Sequence, residues 1–408
     1  MQTAIIAVFV IAYIGVALGR IPGLALDRTG IALLGAMIMV AIGTMSTHEA
    51  QNAIDIPTIL LLYGLMILSA QFRLAGFYTW TALKITRWLD HPLRFLLVLM
   101  LTTALFSAVL ANDIVCLAFT PVLTVTLARR SLNPVPFLIA VAVASNIGSA
   151  ATIIGNPQNM LIGQVGKLDF LNFFLWNLPP VLVSLVAAYG LIVVLSRNRR
   201  VLDPGKPATI IEGHWPSFDR HQTRKGLFYT MLLIVLFFSP IPRHVTALGV
   251  AGCLLCSRRM KTRSILGLVD WHLITLFCSL FILVAAVEKA GLPRMIMGEL
   301  NHHAPHVTDP YGLALVSVVL SNVTSNVPAV MLLSKFLPLG HETLWYVLAA
   351  SSTFAGNLVT IGSIANLIVI EEAAAHGVGI SFREHARYGI PVTVVSMAVL
   401  CLWIFFSR

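Results

Sequence analysis

The sequence predicts an all-α polytopic membrane protein: two inverted repeats of five spans each, with two re-entrant hairpins and two discontinuous helices. Three observations lead there. The 408 residues are 58% hydrophobic and only 11% charged, with a mean hydropathy of +0.87, more apolar surface than a water-soluble domain can bury. An apolar run at 144–163, ASNIGSAATIIGNPQNMLIG, is interrupted by Gly155, Asn156 and Pro157. Inside a bilayer such a break survives only where it is buried in protein or lines a polar cavity. Finally, the chain repeats itself in order.

Apolar runs occupy residues 2–19, 29–45, 57–76, 93–128, 135–163 and 174–195, and after a polar stretch 227–239, 244–257, 270–287, 311–338, 343–372 and 388–406. Residues 1–19 lack a basic leader and a small-residue cleavage site, so a retained first helix is expected. Several runs exceed one span of about 20 residues and fall short of two, which suggests hairpins that enter and leave by one face. Asp55 and Gly76 match Asp270 and Gly291 at the heads and tails of two such runs. SAVLAN (107–112) matches SNVTSN (321–326), IIGNPQNMLI (153–162) matches TIGSIANLIV (360–369), and 170–179 matches 382–391. Four matches in order indicate duplication.

With 93–129 and 311–338 as hairpins, each repeat crosses the membrane an odd number of times, so the second copy is inverted, the plan of many secondary transporters. The expected division is 1–196 for the first repeat (scaffold 1–92, moving part 93–196), 197–226 for a cytoplasmic linker, and 227–408 for the second (scaffold 227–305, moving part 306–408). Placing the Arg20 to Arg28 loop in the cytoplasm puts about 21 Lys and Arg inside and about 6 outside, as the positive-inside rule requires. The net charge of +10 is thereby explained, and no nucleic-acid partner is implied. FYTWTALKITRWLD (77–90) mixes basic and aromatic residues at helical spacing and suits the cytoplasmic interface; 292–303 is its counterpart. The five cysteines lie in apolar segments without a disulfide pattern, and neither they nor the twelve histidines show metal-ligand spacing.

Polar residues collect at the hairpin tips and helix breaks. Asn112 and Asp113 sit at one tip, Ser325 and Asn326 at the other; Asn156 with Asn159, and Ser363 with Asn366, sit at the two breaks. Each precedes an apolar helix, so capping of that helix by Asn or Ser is the plain reading. The functional reading is that four half-helix N-termini converge and offer N–H groups to a small polar or anionic solute. Asp113 is the one carboxylate expected near the midplane, and its counterpart is Val327. A lone buried Asp either takes a proton or neutralises a bound cation, so it is the candidate for ion coupling, to H+ or Na+; capping is the alternative. Asp55 and Asp270 read as N-caps, and no second carboxylate is expected beside Asp113. Cys116, Ser145, Asn146 and Asn357 stand as possible further contacts, with packing the plainer role for Cys116. No H-E-x-x-H or Gly-x-Ser-x-Gly motif supports an enzyme. A channel built on half-helices would carry Asn-Pro in both repeats, whereas here the second copy reads Ser363-Ile364-Ala365-Asn366.

SNIGSAATIIGNPQNMLIG, LANDIVCLAFTPVL, LSNVTSNVPAVMLL and AGNLVTIGSIANLIVI resemble the signature segments of the ion transporter superfamily, which includes arsenite/antimonite efflux permeases and citrate and dicarboxylate transporters. The Ala111-Asn112-Asp113 tip with Thr120-Pro121 behind it is similar to the arsenite permeases, and the Gly155-to-Asn159 break to the citrate branch. The dicarboxylate carriers have Ser-Asn-Thr at both tips, which this chain lacks. The resemblance implies an elevator mechanism, no cofactor, a multi-pass protein of the bacterial inner membrane, a homodimer, and, for an arsenite permease, an energising ATPase subunit. Proton-coupled arsenite or antimonite efflux is the leading expectation, with sodium- or proton-coupled transport of citrate, dicarboxylate or another organic anion as the alternative, and a sodium/proton antiporter or a channel behind both.

Overall fold

The computed structural model describes residues 2–19, 21, 23–197, 215–291 and 309–407. Among these, nineteen α-helices and three short 3-10 turns form, and no strand does. The first half supplies α1 (Gln2–Leu18), α2 (Arg28–Ala41), α3 (Thr47–Ala53), α4 (Ile56–Leu74), α5 (Phe77–Ile85), α6 (Pro92–Val109), α7 (Asn112–Arg129), α8 (Val135–Ser149), α9 (Pro157–Val165) and α10 (Phe170–Leu195). The second supplies α11 (Arg220–Leu236), α12 (Arg243–Leu255), α13 (Thr262–Leu266), α14 (Trp271–Lys289), α15 (Pro310–Thr324), α16 (Asn326–Leu333), α17 (Glu342–Ala355), α18 (Ile364–Ala375) and α19 (Phe382–Phe406). Six of them, α4, α6, α7, α10, α14 and α19, are long and apolar enough to cross a membrane singly.

The helices fall into two groups by contact. In the frame group α2 packs on α14, α4 on α12, and α1 on α2. In the core group α6 packs on α8, α15 on α17, α10 on α19, and α7 on α18. Both groups draw on both halves of the chain, so neither half has a core of its own. At the centre lies α8, buried along its whole length from Val135 to Ser149, as expected of a helix apolar on every face. A Cβ on Gly148 would stand 2.4 Å from the Cα and carbonyl oxygen of Ala104; only glycine lets α6 and α8 touch backbone to backbone.

Aspartates punctuate the helix starts. The side chains of Asp27, Asp55, Asp169, Asp219, Asp270 and Asp309 cap α2, α4, α10, α11, α14 and α15. This confirms the capping role read for Asp55 and Asp270. Asp113 caps nothing.

One expected boundary changes. The linker does not run to Gly226, because α11 begins at Arg220, capped by Asp219 on the N–H groups of His221 (2.9 Å) and Gln222 (3.0 Å). A search for apolar runs overlooks a polar first turn. The residues before it dock on the frame: the Asp219 N–H donates to the Ala75 carbonyl at 2.9 Å, and Phe218 stacks on Trp80 with centroids 4.7 Å apart. Gly76, at φ +66°, makes room for them, since a Cβ there would meet the Pro216 and Ser217 carbonyls at 2.8 and 2.7 Å. Within 77–90, α5 buries Phe77, Tyr78, Ala82 and Ile85 and exposes Trp80 and Leu83. Its counterpart at 292–303 lies outside the described residues.

Candidate functional site

The helix α8 ends at Ser149 and α9 starts only at Pro157, so the first break is seven residues deep. Pro157 takes the first helical position, where its missing N–H costs nothing. Asn156 caps α9 by accepting from the Asn159 N–H at 2.8 Å, and Ser363 caps α18 by accepting from the Ala365 N–H at 3.2 Å. Behind each cap an asparagine holds the break in shape. Asn159 Nδ2 donates to the carbonyls ten and seven residues back, Ser149 at 3.2 Å and Thr152 at 3.0 Å. Asn366 Nδ2 donates to the carbonyls at the same two offsets, Gly356 at 2.7 Å and Val359 at 3.1 Å. These bonds satisfy backbone acceptors that the unwound stretches leave without helical partners.

The two breaks are also stitched to each other. Asn156 Nδ2 donates to Thr353 Oγ1 at 3.3 Å, and Ser363 Oγ donates to Asn146 Oδ1 at 2.9 Å. Asn146 and Thr353 hold equivalent places before the two caps, so the pair of bonds is reciprocal. Asn146 Nδ2 adds bonds to Asn357 Oδ1 at 2.9 Å and Asn366 Oδ1 at 3.1 Å. His385, buried on α19, places Nε2 3.2 Å from the Asn357 carbonyl. Ser149, Thr353 and His385 escaped the sequence reading; a polar residue inside an otherwise apolar run, placed alike in both copies, is the signal that marks Thr353.

The tips differ from expectation. Neither Asn112 nor Ser325 caps a helix with its side chain: Ala111 and Ser325 occupy the cap positions without a side-chain bond. The backbone is fixed instead by the break beside it, with the Asn112 N–H donating to the Gly155 carbonyl at 3.1 Å and Ser145 Oγ donating to the Asn112 carbonyl at 3.3 Å. At the other tip Ser325 sits at φ +75°, ψ +161°, a region that costs a non-glycine residue about 1–3 kcal/mol. With its amide nitrogen turned inward, Asn326 donates to the carbonyls of Gly362 at 2.8 Å and Ser352 at 3.0 Å, pinning that strained tip.

Four helix N-termini meet at one small cavity, lined by Asn112 and Asp113 of α7, Pro157 and Gln158 of α9, Ser325, Asn326 and Val327 at α16, and Ser363 and Ile364 at α18. Its volume is about 10 Å³, room for about one water molecule, so a larger solute enters only when the tips part. Among the primary candidates Asn112, Ser325, Asn326, Ser363 and Asp113 line the cavity, while Asn156, Asn159 and Asn366 stand behind it and hold the breaks. Gln158 lines it and was missed. Cys116, Ser145, Asn146 and Asn357 are buried away from its wall.

Among the described residues the side chains of Asn112, Asp113 and Ser325 at the cavity make no hydrogen bond to protein, and Asn112 Oδ1 is fully buried. Asn112→Ala is expected to leave the melting temperature of the purified protein within a degree or two, since it removes an oxygen with no protein partner, while raising KM for transport about tenfold, the worth of one hydrogen bond to solute. A loss of stability with unchanged KM would show that the side chain serves packing.

A second cavity of about 30 Å³ touches the first at Asp113 and Pro157 and runs to the start of α14, where Asp270 lines it. This corrects the expectation that no second carboxylate lies beside Asp113. Asp270 does cap α14, but it lines the same cavity as the α7 tip, a proximity hidden by the long sequence separation. A larger cleft of about 480 Å³ lies between the two helix groups, with Gln51, Asn52 and Asp55 on the frame side and Leu161, Met331 and Lys335 on the core side.

Broken helices back to back, with their N-termini gathered at a central cavity, define a membrane transporter. More narrowly, the chain belongs to the citrate transporter (CitMHS) family, whose model matches residues 12–349. It is 30% identical to a 46 kDa membrane protein of Mycobacterium leprae over 99% of both chains. It is 29% identical to the rice silicon efflux transporter LSI3, with 93% of this chain and 92% of that one covered. In fold it resembles the crystal structure of the Alcanivorax borkumensis YdaH transporter, at a TM-score of 0.54 and 11% identity, covering 100% of this chain and 98% of that one.

Proposed function

We propose that this protein exports a small neutral oxyacid, with arsenous or antimonous acid first and silicic acid close behind, in exchange for protons. The observation that carries the reading is the make-up of the cavity wall: the amide of Asn112, the hydroxyl of Ser325 and the carboxyl of Asp113 are free to bond a solute, and no Lys or Arg among the described residues lines it. A solute rich in hydroxyl donors fits such a wall. Protonating Asp113 turns an acceptor into a donor and weakens the bound solute, so proton and solute compete for one site, the condition for exchange. The silicon efflux named for the rice relative concerns a solute of the same chemistry.

The movement is of the elevator kind. The core group carries the cavity, the frame group presents α4 and α14 to it, and the cleft of about 480 Å³ between the groups leaves space for sliding. The second repeat is inverted relative to the first, which the basic loops favour and the reciprocal bonds between the breaks accommodate.

A second reading, transport of citrate or another organic anion, is favoured by the description of the family. Four helix N-termini supply positive potential for an anion once Asp113 is neutral, and that arrangement yields symport with a proton. Everted vesicles separate the two. With an inside-acid gradient, arsenite or the silicic acid analogue germanic acid is expected to accumulate and to be released by nigericin. No uptake of arsenite or germanic acid under that gradient, with citrate or succinate accumulating only when the gradient is reversed to inside-alkaline, would overturn the first reading in favour of the second.

A further inference from the structure

The cavity of about 30 Å³ that joins Asp113 to Asp270 has no place in solute binding, since its remaining wall is the apolar set of Leu62, Leu65 and Met66 on α4 with Ala111, Ile114, Met160 and Leu273. Its volume holds about two water molecules. One end is the unpartnered carboxylate of Asp113, beside the orphaned and buried Asn112 Oδ1. The other is Asp270, which is exposed to solvent. Asp270 uses only Oδ1 for its cap, accepting from the Leu273 N–H at 2.9 Å, which leaves Oδ2 to carry a proton. The titratable groups of the cavity wall are these two carboxylates alone. Beyond them lie Cys116 one turn on in α7, and, past Asp270, His272 with its Nδ1 3.8 Å from Asp27.

We propose that Asp270 is the outer station of a proton route to Asp113, with water in the cavity between them as the carrier. This deepens the exchange reading and rests on it. In the outward direction the Asp113 carboxyl gives its proton to a cavity water, that water gives a proton to the Asp270 carboxylate, and Asp270 releases it to solvent. One proton moves, one carboxylate is left at Asp113, and no other bond changes. The route opens on the face of the α12–α14 loop, with Arg258, Arg259, Lys261 and Arg263, the face assigned to the cytoplasm by charge. An exporter driven by external protons must discharge them there. The equivalent Asp55 cannot serve, because it lines the large cleft on the other side and not this cavity.

The test reads the proton itself and needs no identified solute. In purified protein in lipid nanodiscs, infrared difference spectra after a pH jump follow the Asp113 carboxyl band, assigned by its loss in Asp113→Asn. Asp270→Asn keeps the helix cap, since Asn caps as well as Asp, and is expected to slow relaxation of that band about 100-fold. Ile114→Phe, which narrows the passage without changing charge, should slow it too, and Asp55→Asn should leave it unchanged. Wild-type relaxation in both Asp270→Asn and Ile114→Phe overturns the route while leaving exchange at Asp113 standing. No titrating Asp113 band in the wild type from pH 5 to 9 overturns the exchange reading and the route with it.

Discussion

Asp113→Asn is expected to abolish proton-driven accumulation while sparing solute-for-solute exchange. One proton exchanged per solute sustains about tenfold accumulation for each pH unit, since a unit corresponds to about 1.4 kcal/mol. The variant should therefore fall from a concentration ratio of about ten to about one at a gradient of one unit. Asparagine keeps the size of the side chain but mimics the protonated carboxyl, so solute binds more weakly and exchange is to be read at solute concentrations well above the wild-type KM, where the helices still move. The distinction matters because a variant that merely misfolds loses both activities. Asp113 is suited to this test because its side chain has no structural duty that an amide would fail: it caps no helix, unlike the six aspartates that do. Accumulation at the wild-type ratio would remove Asp113 from the coupling step.

How much of this was legible beforehand follows from what sort of interaction each feature rests on. The spans follow from apolar runs, and the two breaks from Gly155-Asn156-Pro157 and its counterpart, because a local backbone rule acts on adjacent residues. Pairing the copies by their matched segments placed both tips and both breaks correctly at one centre. What failed to show were contacts between residues far apart in sequence. Asp270 reads as a helix cap and is one, and nothing in its neighbours reveals that it shares a cavity with the α7 tip. The same holds for Asn146, which was assigned a possible role toward solute and instead joins Asn357, Asn366 and Ser363. The tips were misread for another reason. Asn and Ser are good caps in general, but the Asn112 side chain is left free and the tip is held through its backbone, by Gly155 and Ser145.

The duplicated asparagines give the second large expected effect. Asn159→Ala and Asn366→Ala each strip the donor from two carbonyls of an unwound segment, Ser149 and Thr152 in one case and Gly356 and Val359 in the other. A buried carbonyl left unpaired costs about 1–3 kcal/mol, so each variant is expected to lose about 2–5 kcal/mol of stability, measured by denaturant or thermal unfolding in detergent. The duplicated geometry predicts similar losses on the two sides. Asn366→Ala should be somewhat the worse, because its Oδ1 also accepts from Asn146 at 3.1 Å, whereas Asn159 Oδ1 has no protein partner. A double-mutant cycle on the reciprocal bonds extends the argument across the halves. Pairing Asn156→Ala with Thr353→Ala, and Ser363→Ala with Asn146→Ala, should give coupling energies of about 0.5–1.5 kcal/mol each. Coupling at one pair and none at the other would mean that the two breaks are matched in shape but not in energy, and that the site is held from one half of the chain.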